Sequence, residues 1–156
     1  MAKIYTAMGL MSGTSLDGVD VSVIESDGNQ EYSSILDKYF EYDKELIQKI
    51  LELRDKILNF KGLDLYLDEL KGLEREITLF HVKAVTETLE TIDLNIDLIG
   101  FHGQTIFHDP KNKISRQLGD GKLLSQLKKK KGVYNFRKNV LKNGDQGAPF
   151  TTILHI

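Results

Sequence analysis

The spacing of apolar and polar positions divides the chain into segments of two kinds. Residues 3–10 (KIYTAMGL) and 19–25 (VDVSVIE) read as strands. In the second, Val19, Val21 and Val23 share one face while Asp20 and Ser22 share the other, the period of two that a half-buried strand imposes. SDGNQ at 26–30 is a turn signal, and YSSILDKYFEY at 32–42 is a third strand. These three predict an antiparallel meander.

A helical period then takes over. Leu46, Ile47, Ile50, Leu51, Arg54, Ile57 and Leu58 recur at steps of three and four. A second stripe follows through Leu67, Leu70, Leu73, Ile77, Phe80, Ala84 and Leu89. At NIDLIGFHG the pattern shortens to an apolar run ending in glycine, as in a buried parallel strand. HDPKNKIS reads as a loop at a hairpin tip, DGKLLSQLKKKKG as a short helix with a basic end, and GVYNFR as a last strand. The order βββαβαβ predicts an α/β layer on a mixed sheet. GAPFTTILHI stays apolar to residue 156, which reads as a chain ending inside an element.

Length and composition narrow the picture without naming a chemistry. The 156 residues predict one domain with its own core, and 40% hydrophobic with 28% charged residues is an ordinary globular mixture. A net charge of −2 offers no global basic field for nucleic acid or anionic membrane. The chain has no cysteine, which excludes a disulfide framework, thiolate catalysis and cysteine-bound metal. That fits a reducing compartment. The apolar N-terminal stretch is too short to span a bilayer and no small-residue cleavage site follows it, so the expectation is a cytoplasmic protein.

Three polar stretches interrupt this frame. MGLMSGTSLDGVD at 8–20 puts Gly9, Gly13 and Gly18 with Ser12, Thr14 and Ser15 between two strands. Backbone N–H groups in such a turn can face an anion, hydroxyls add donors, and Asp17 could hold a divalent cation. A decorated β-turn satisfies the same composition, and no Gly-Lys-Ser/Thr follows as a Walker A loop would require. GFHGQT at 100–105 places an imidazole, an amide and a hydroxyl at a strand's carboxyl end, where open α/β sheets receive ligands. NFRKN…NGDQGAP at 135–149 offers glycines and an arginine suited to planar recognition. Isolated, the last two read first as a packed histidine with a turn and as a surface loop. The run Lys128–Lys131 reads as the dipole-complementing end of a helix.

Taken in order, GLMSGTSLDGVDV, IGFHGQT, QLGDG and NGDQGAP resemble the anhydro-N-acetylmuramic acid kinases, from about residue 5 to the last. The resemblance implies an actin-like, sugar-kinase fold of two lobes, each on a ribonuclease-H-like sheet, with residues 1–156 as the N-terminal lobe. It implies ATP and Mg²⁺ as cofactors, with ring opening of 1,6-anhydro-N-acetylmuramic acid and phosphorylation at the 6-hydroxyl in peptidoglycan recycling. Gly13, Thr14, Ser15, Leu16, Asp17, Gly18, Val19 and Asp20 would then contact ATP, with Asp17 near the metal. His102, Gln104, Thr105 and Arg137 would serve the sugar. Asn135, Val140 and Asp145 depart from the family pattern, which has aspartate, aspartate and glycine there. The later Gly-Phe-Asp-Thr-Gly-Pro-Gly segment, which carries the family's catalytic base, is not among these residues, so no catalytic residue is assigned.

The resemblance therefore predicts a fragment that is inactive alone, a truncated or split gene product or a single lobe, with a separately encoded C-terminal half as one candidate partner. Two other classes stand beside it. One is a non-catalytic remnant that holds a nucleotide or sugar. The other is a nuclease of ribonuclease-H-like fold, which would want several clustered carboxylates around two metals about 4 Å apart. Only Asp17 and Asp20 are near neighbours of that kind.

Overall fold

A computed structural model describes residues 3–137. Strands β1 (Tyr5–Ser12), β2 (Gly18–Ser26) and β3 (Tyr32–Glu41) form the expected meander, paired antiparallel in sequence order. Helices α1 (Lys44–Lys56), α2 (Lys61–Leu65) and α3 (Leu67–Leu89) follow. Then come β4 (Leu98–Asp109), β5 (Ile114–Leu118), α4 (Gly121–Lys128) and β6 (Lys131–Tyr134). The result is a six-stranded mixed sheet ordered β3-β2-β1-β4-β5, with β6 also on β4. No helix among the described residues is long and apolar enough to cross a membrane.

Alternation decides which face of the sheet is covered. Met8, Leu10 and Ser12 of β1 and Val19, Val21 and Val23 of β2 are buried, as are Ile99 and Phe101 of β4. Leu46, Ile50 and Leu53 of α1 and Leu70, Leu73, Ile77, His81, Ala84 and Val85 of α3 close over them at helical spacing. Asp43 caps α1 through the Leu46 N–H at 2.8 Å, and Asp120 caps α4 through the Leu123 N–H at 2.9 Å. α1 ends at Lys56, so Leu58, a member of the predicted stripe, falls outside the helix and is exposed.

β4 departs from expectation. Gly103 does not end the strand. Leu10 pairs with Phe101 but Ser12 with Gln104, so β4 carries one extra residue, a bulge that includes Gly103 at φ +77°. A Cβ there would lie 2.5 Å from the Leu118 carbonyl oxygen, which leaves room only for glycine. At this kink β4 changes partners: its first half lies between the parallel strands β1 and β6, and its second half pairs antiparallel with β5. β5 and α2 are elements that the pattern of apolar positions does not announce. The hairpin tip between β4 and β5 is the expected loop.

Candidate functional site: a fastened polar turn and an open sheet face

Residues 13–17 join β1 to β2 as a hairpin turn, with Ser12 opposite Val19. Its left-handed position is Leu16 at φ 61°, not a glycine. Burial of the Leu16 side chain, 2% exposed, holds that unfavourable conformation in place. Gly18 is needed for space, because a Cβ would meet the Phe40 carbonyl oxygen at 2.2 Å. Thr14, Ser15 and Asp17 are exposed. Among the described residues, the backbone N–H groups of Thr14 and Ser15 enter no internal hydrogen bond. The Ser15 hydroxyl donates to the Asp17 carboxylate, and that bond, followed by backbone N–H donors, holds Asp17 below the usual carboxylate range. Asp17 is therefore ionised at neutral pH.

Several groups beneath the turn fasten it. Gln104 Nε2 donates to the Gly13 carbonyl at 2.9 Å, and the Leu16 N–H reaches the same oxygen at 3.4 Å. The Tyr42 N–H donates to the Asp17 carbonyl at 3.0 Å, and the Tyr42 hydroxyl donates to Ser12 Oγ at 3.0 Å. Ser12 Oγ lies 2.9 Å from His81 Nε2, while His81 Nδ1 lies 2.8 Å from the Ile77 carbonyl. Burial depresses His81 to a pKa of about 4 and pushes Tyr42 up to about 12, so both are neutral.

The face of the sheet opposite the helices carries a cavity of about 500 Å³. Gly9, Met11, Asp20, Ser22 and Gly100 form its floor, and His102, Phe136 and Arg137 stand along it. Gly9 pairs with both Ser22 and Gly100, so small side chains on three adjacent strands open the floor. His102 Nδ1 donates to the Gly103 carbonyl at 2.7 Å, leaving Nε2 to accept from Arg137 Nε at 2.8 Å. Burial lowers the His102 pKa first, and the Arg137 charge adds to it, so the imidazole stays neutral. Tyr39 is raised by desolvation and then by the charges of Asp17, Glu41 and Asp20.

The structure thus brings Asp20, His102 and Arg137 to one cavity, and Gln104 to the turn. Thr105 does neither: it is buried, and its hydroxyl accepts from Gln117 Nε2 at 3.2 Å. Leu16 and Val19 send their side chains into the core, so only their backbones are available to a ligand. Residues 138–149 of the third motif lie outside the described residues, with Val140 and Asp145. The basic run is partly occupied: Lys128 Nζ donates to Thr86 Oγ1 at 2.7 Å and Lys130 Nζ to Asn95 Oδ1 at 2.8 Å. Sequence reasoning missed Tyr42 and His81. A histidine on the apolar stripe of α3 was the available signal.

A six-stranded mixed sheet with four helices, and an exposed polar hairpin turn beside an open strand-lined cavity, is consistent with an α/β kinase-like fold. The family model for anhydro-N-acetylmuramic acid kinase matches residues 5–156, and the chain belongs to that family. Among its relatives, the anhydro-N-acetylmuramic acid kinase of Pelagibacter ubique (strain HTCC1062) is 54% identical over 155 residues, covering 99% of this chain and 41% of the relative. Those of Gluconobacter oxydans (strain 621H) and Rhizobium etli are 41% and 36% identical, covering 96% and 99% of this chain and 41% and 43% of theirs. The chain spans about two fifths of the length of these relatives.

Proposed function

We propose that this chain forms the N-terminal lobe of an ATP-dependent kinase acting on 1,6-anhydro-N-acetylmuramic acid, with residues 13–17 as its first phosphate loop. The observation that carries the reading is the turn itself: exposed hydroxyls, two uncommitted N–H groups and an ionised carboxylate on a fastened backbone. N–H groups and hydroxyls suit phosphate oxygens, and one or two carboxylates suit a Mg²⁺ ion that keeps several of its waters. The residues therefore fit Mg²⁺–ATP, with Thr14 and Ser15 toward phosphate and Asp17 toward the metal. When bound, Mg²⁺ would supply charge neutralisation on the transferring phosphoryl group.

His102 and Arg137 serve the sugar side in this reading. A neutral imidazole fixed by the Gly103 carbonyl, paired with a guanidinium, offers recognition of hydroxyl and carboxylate groups without an acid–base role. The ribonuclease-H-like reading of the lobe is supported by the three-stranded meander continued by two parallel strands, with the β4–β5 hairpin as an addition. The setting is cytoplasmic. The catalytic base and the closing second lobe come from the family's C-terminal part, so the 156-residue polypeptide binds nucleotide weakly and does not turn over alone. The non-catalytic remnant differs from this reading in one outcome, turnover after complementation.

Titration of Mg²⁺–ATP into the 156-residue chain tests the loop. Asp17→Asn is expected to weaken Mg²⁺–ATP by about 10-fold, the scale of one charge-assisted contact. Binding of ATP without metal is expected to change less. Equal affinity of wild type and Asp17→Asn for Mg²⁺–ATP would contradict the role given to Asp17.

A further inference from the structure

We propose that Tyr42 is a clamp across the two stems of the polar turn, and that His81 orients it through Ser12; both are positioning residues. The inference deepens, and rests on, the reading of the turn as a phosphate loop. Tyr42 touches both stems at once. Its backbone N–H holds the Asp17 carbonyl where β2 begins, and its hydroxyl holds Ser12 where β1 ends.

The direction of each proton follows by elimination. The Ile77 carbonyl only accepts, so His81 Nδ1 carries a proton. In the neutral ring Nε2 is then the acceptor, and Ser12 must donate to it. Tyr42 in turn donates to the Ser12 oxygen. The chain Tyr42, Ser12, His81, Ile77 carbonyl therefore has one direction and leaves none of its hydroxyl or imidazole protons unplaced. Packing alone would be served by an apolar residue, as Ile77, Ala84 and Val85 serve on the same helix. A buried directional chain instead fixes the orientation of Ser12, the residue before the turn.

Planarity carries the effect into the turn. A trans peptide points its carbonyl and the following N–H in opposite directions. Gln104 holds the Gly13 carbonyl, so it also aims the Thr14 N–H away from itself. Tyr42 likewise fixes the peptide between Asp17 and Gly18. The uncommitted Thr14 donor thus lies in a fixed plane and the Ser15 donor between two fixed planes, preorganised for an anion rather than ordered by it.

Tyr42→Phe removes only the hydroxyl; it keeps the ring against Phe80, 4.8 Å away, and the backbone N–H. Backbone order parameters of residues 13–17, from ¹⁵N relaxation, are expected to fall from about 0.85 toward 0.6 in this variant, with those of α3 unchanged. Mg²⁺–ATP affinity is expected to fall about 10-fold with them. Ser12→Ala should act alike and carries the same test if Tyr42→Phe does not fold. The double variant should be no worse than either single one, because both break the same chain. His81→Gln, whose amide can accept and donate, should be closer to wild type than His81→Leu. Unchanged order parameters in the single variants, or additive losses in the double, would overturn the clamp. Failure of the wild type to bind Mg²⁺–ATP would sink the phosphate reading alone, since the relaxation measurement still decides the clamp.

Discussion

An alanine at position 18 would carry its Cβ 2.2 Å from the Phe40 carbonyl oxygen, 2.9 Å from the Tyr39 hydroxyl and 3.0 Å from Glu41 Cα. Ordinary carbon–oxygen approaches between strands begin near 3.3 Å, so β2 and β3 must part by roughly 1 Å. Two of the three atoms are backbone and cannot turn aside. Overpacking of this kind costs about 1–3 kcal/mol, and the rigid neighbours place Gly18→Ala in the upper half, at about 2–3 kcal/mol. For a chain of this size that lowers Tm by roughly 4–12 °C. Gly9→Ala is the matched comparison, because a Cβ there meets nothing within 4 Å. It is expected to leave stability unchanged or raise it by about 0.5–1 kcal/mol, the usual gain from replacing a strand glycine. Urea unfolding should show a lower midpoint with unchanged slope for Gly18→Ala and no loss for Gly9→Ala. Equal midpoints for the two variants would refute the steric reasoning.

His81 gives a pH dependence of definite sign. Its folded pKa of about 4 lies below the ordinary 6.5, so the unfolded chain binds the extra proton below pH 6.5 and stability rises with pH between those values. The span corresponds to roughly 3 kcal/mol, fully present above pH 6.5, and His81→Gln should flatten most of it in unfolding curves taken at pH 7 and pH 4.5. His102, also held below its ordinary value, adds a slope of the same sign that His102→Gln should remove. Glu74 Oε1 accepts from Arg116 Nη2 at 3.0 Å and from the Gly119 N–H at 3.1 Å. Glu74→Ala strands both donors in a partly exposed setting and is expected to cost about 1–2 kcal/mol by urea unfolding, with Glu74→Gln, which keeps an acceptor, costing less.

The meander and the long helices were legible because their periods are clean over eight or more residues. Val19, Val21 and Val23 could share a face in no other way, and α3 shows its stripe across 23 residues. β4 was read short because glycine after a buried run looks like an end. A bulge has the same local signature, and only pairing with β5 on the far side tells the two apart. β5 itself is five residues interrupted by Arg116, too short for a period to emerge. The turn was visible from its composition, but its conformation was not: the left-handed residue is Leu16, chosen by burial rather than by local preference. Tyr42 and His81 were hidden for a related reason. His81 lies in an apolar stretch that packing alone explains, Tyr42 sits between Glu41 and Asp43 just after β3, and their bonds to Ser12 span separations of 69 and 30 residues that no local pattern records.

In the proposed function, these residues supply the phosphate and sugar contacts of a family kinase whose catalytic base lies in the rest of the relatives' length. Product formation from ATP and 1,6-anhydro-N-acetylmuramic acid tests it most directly. The assay compares the 156-residue chain alone, the C-terminal three fifths of the Pelagibacter ubique relative alone, and the two mixed. Phosphorylated sugar is expected only in the mixture, and Asp17→Ala in the N-terminal chain should abolish it. Turnover by the chain alone, or a mixture indifferent to Asp17→Ala, would contradict the account.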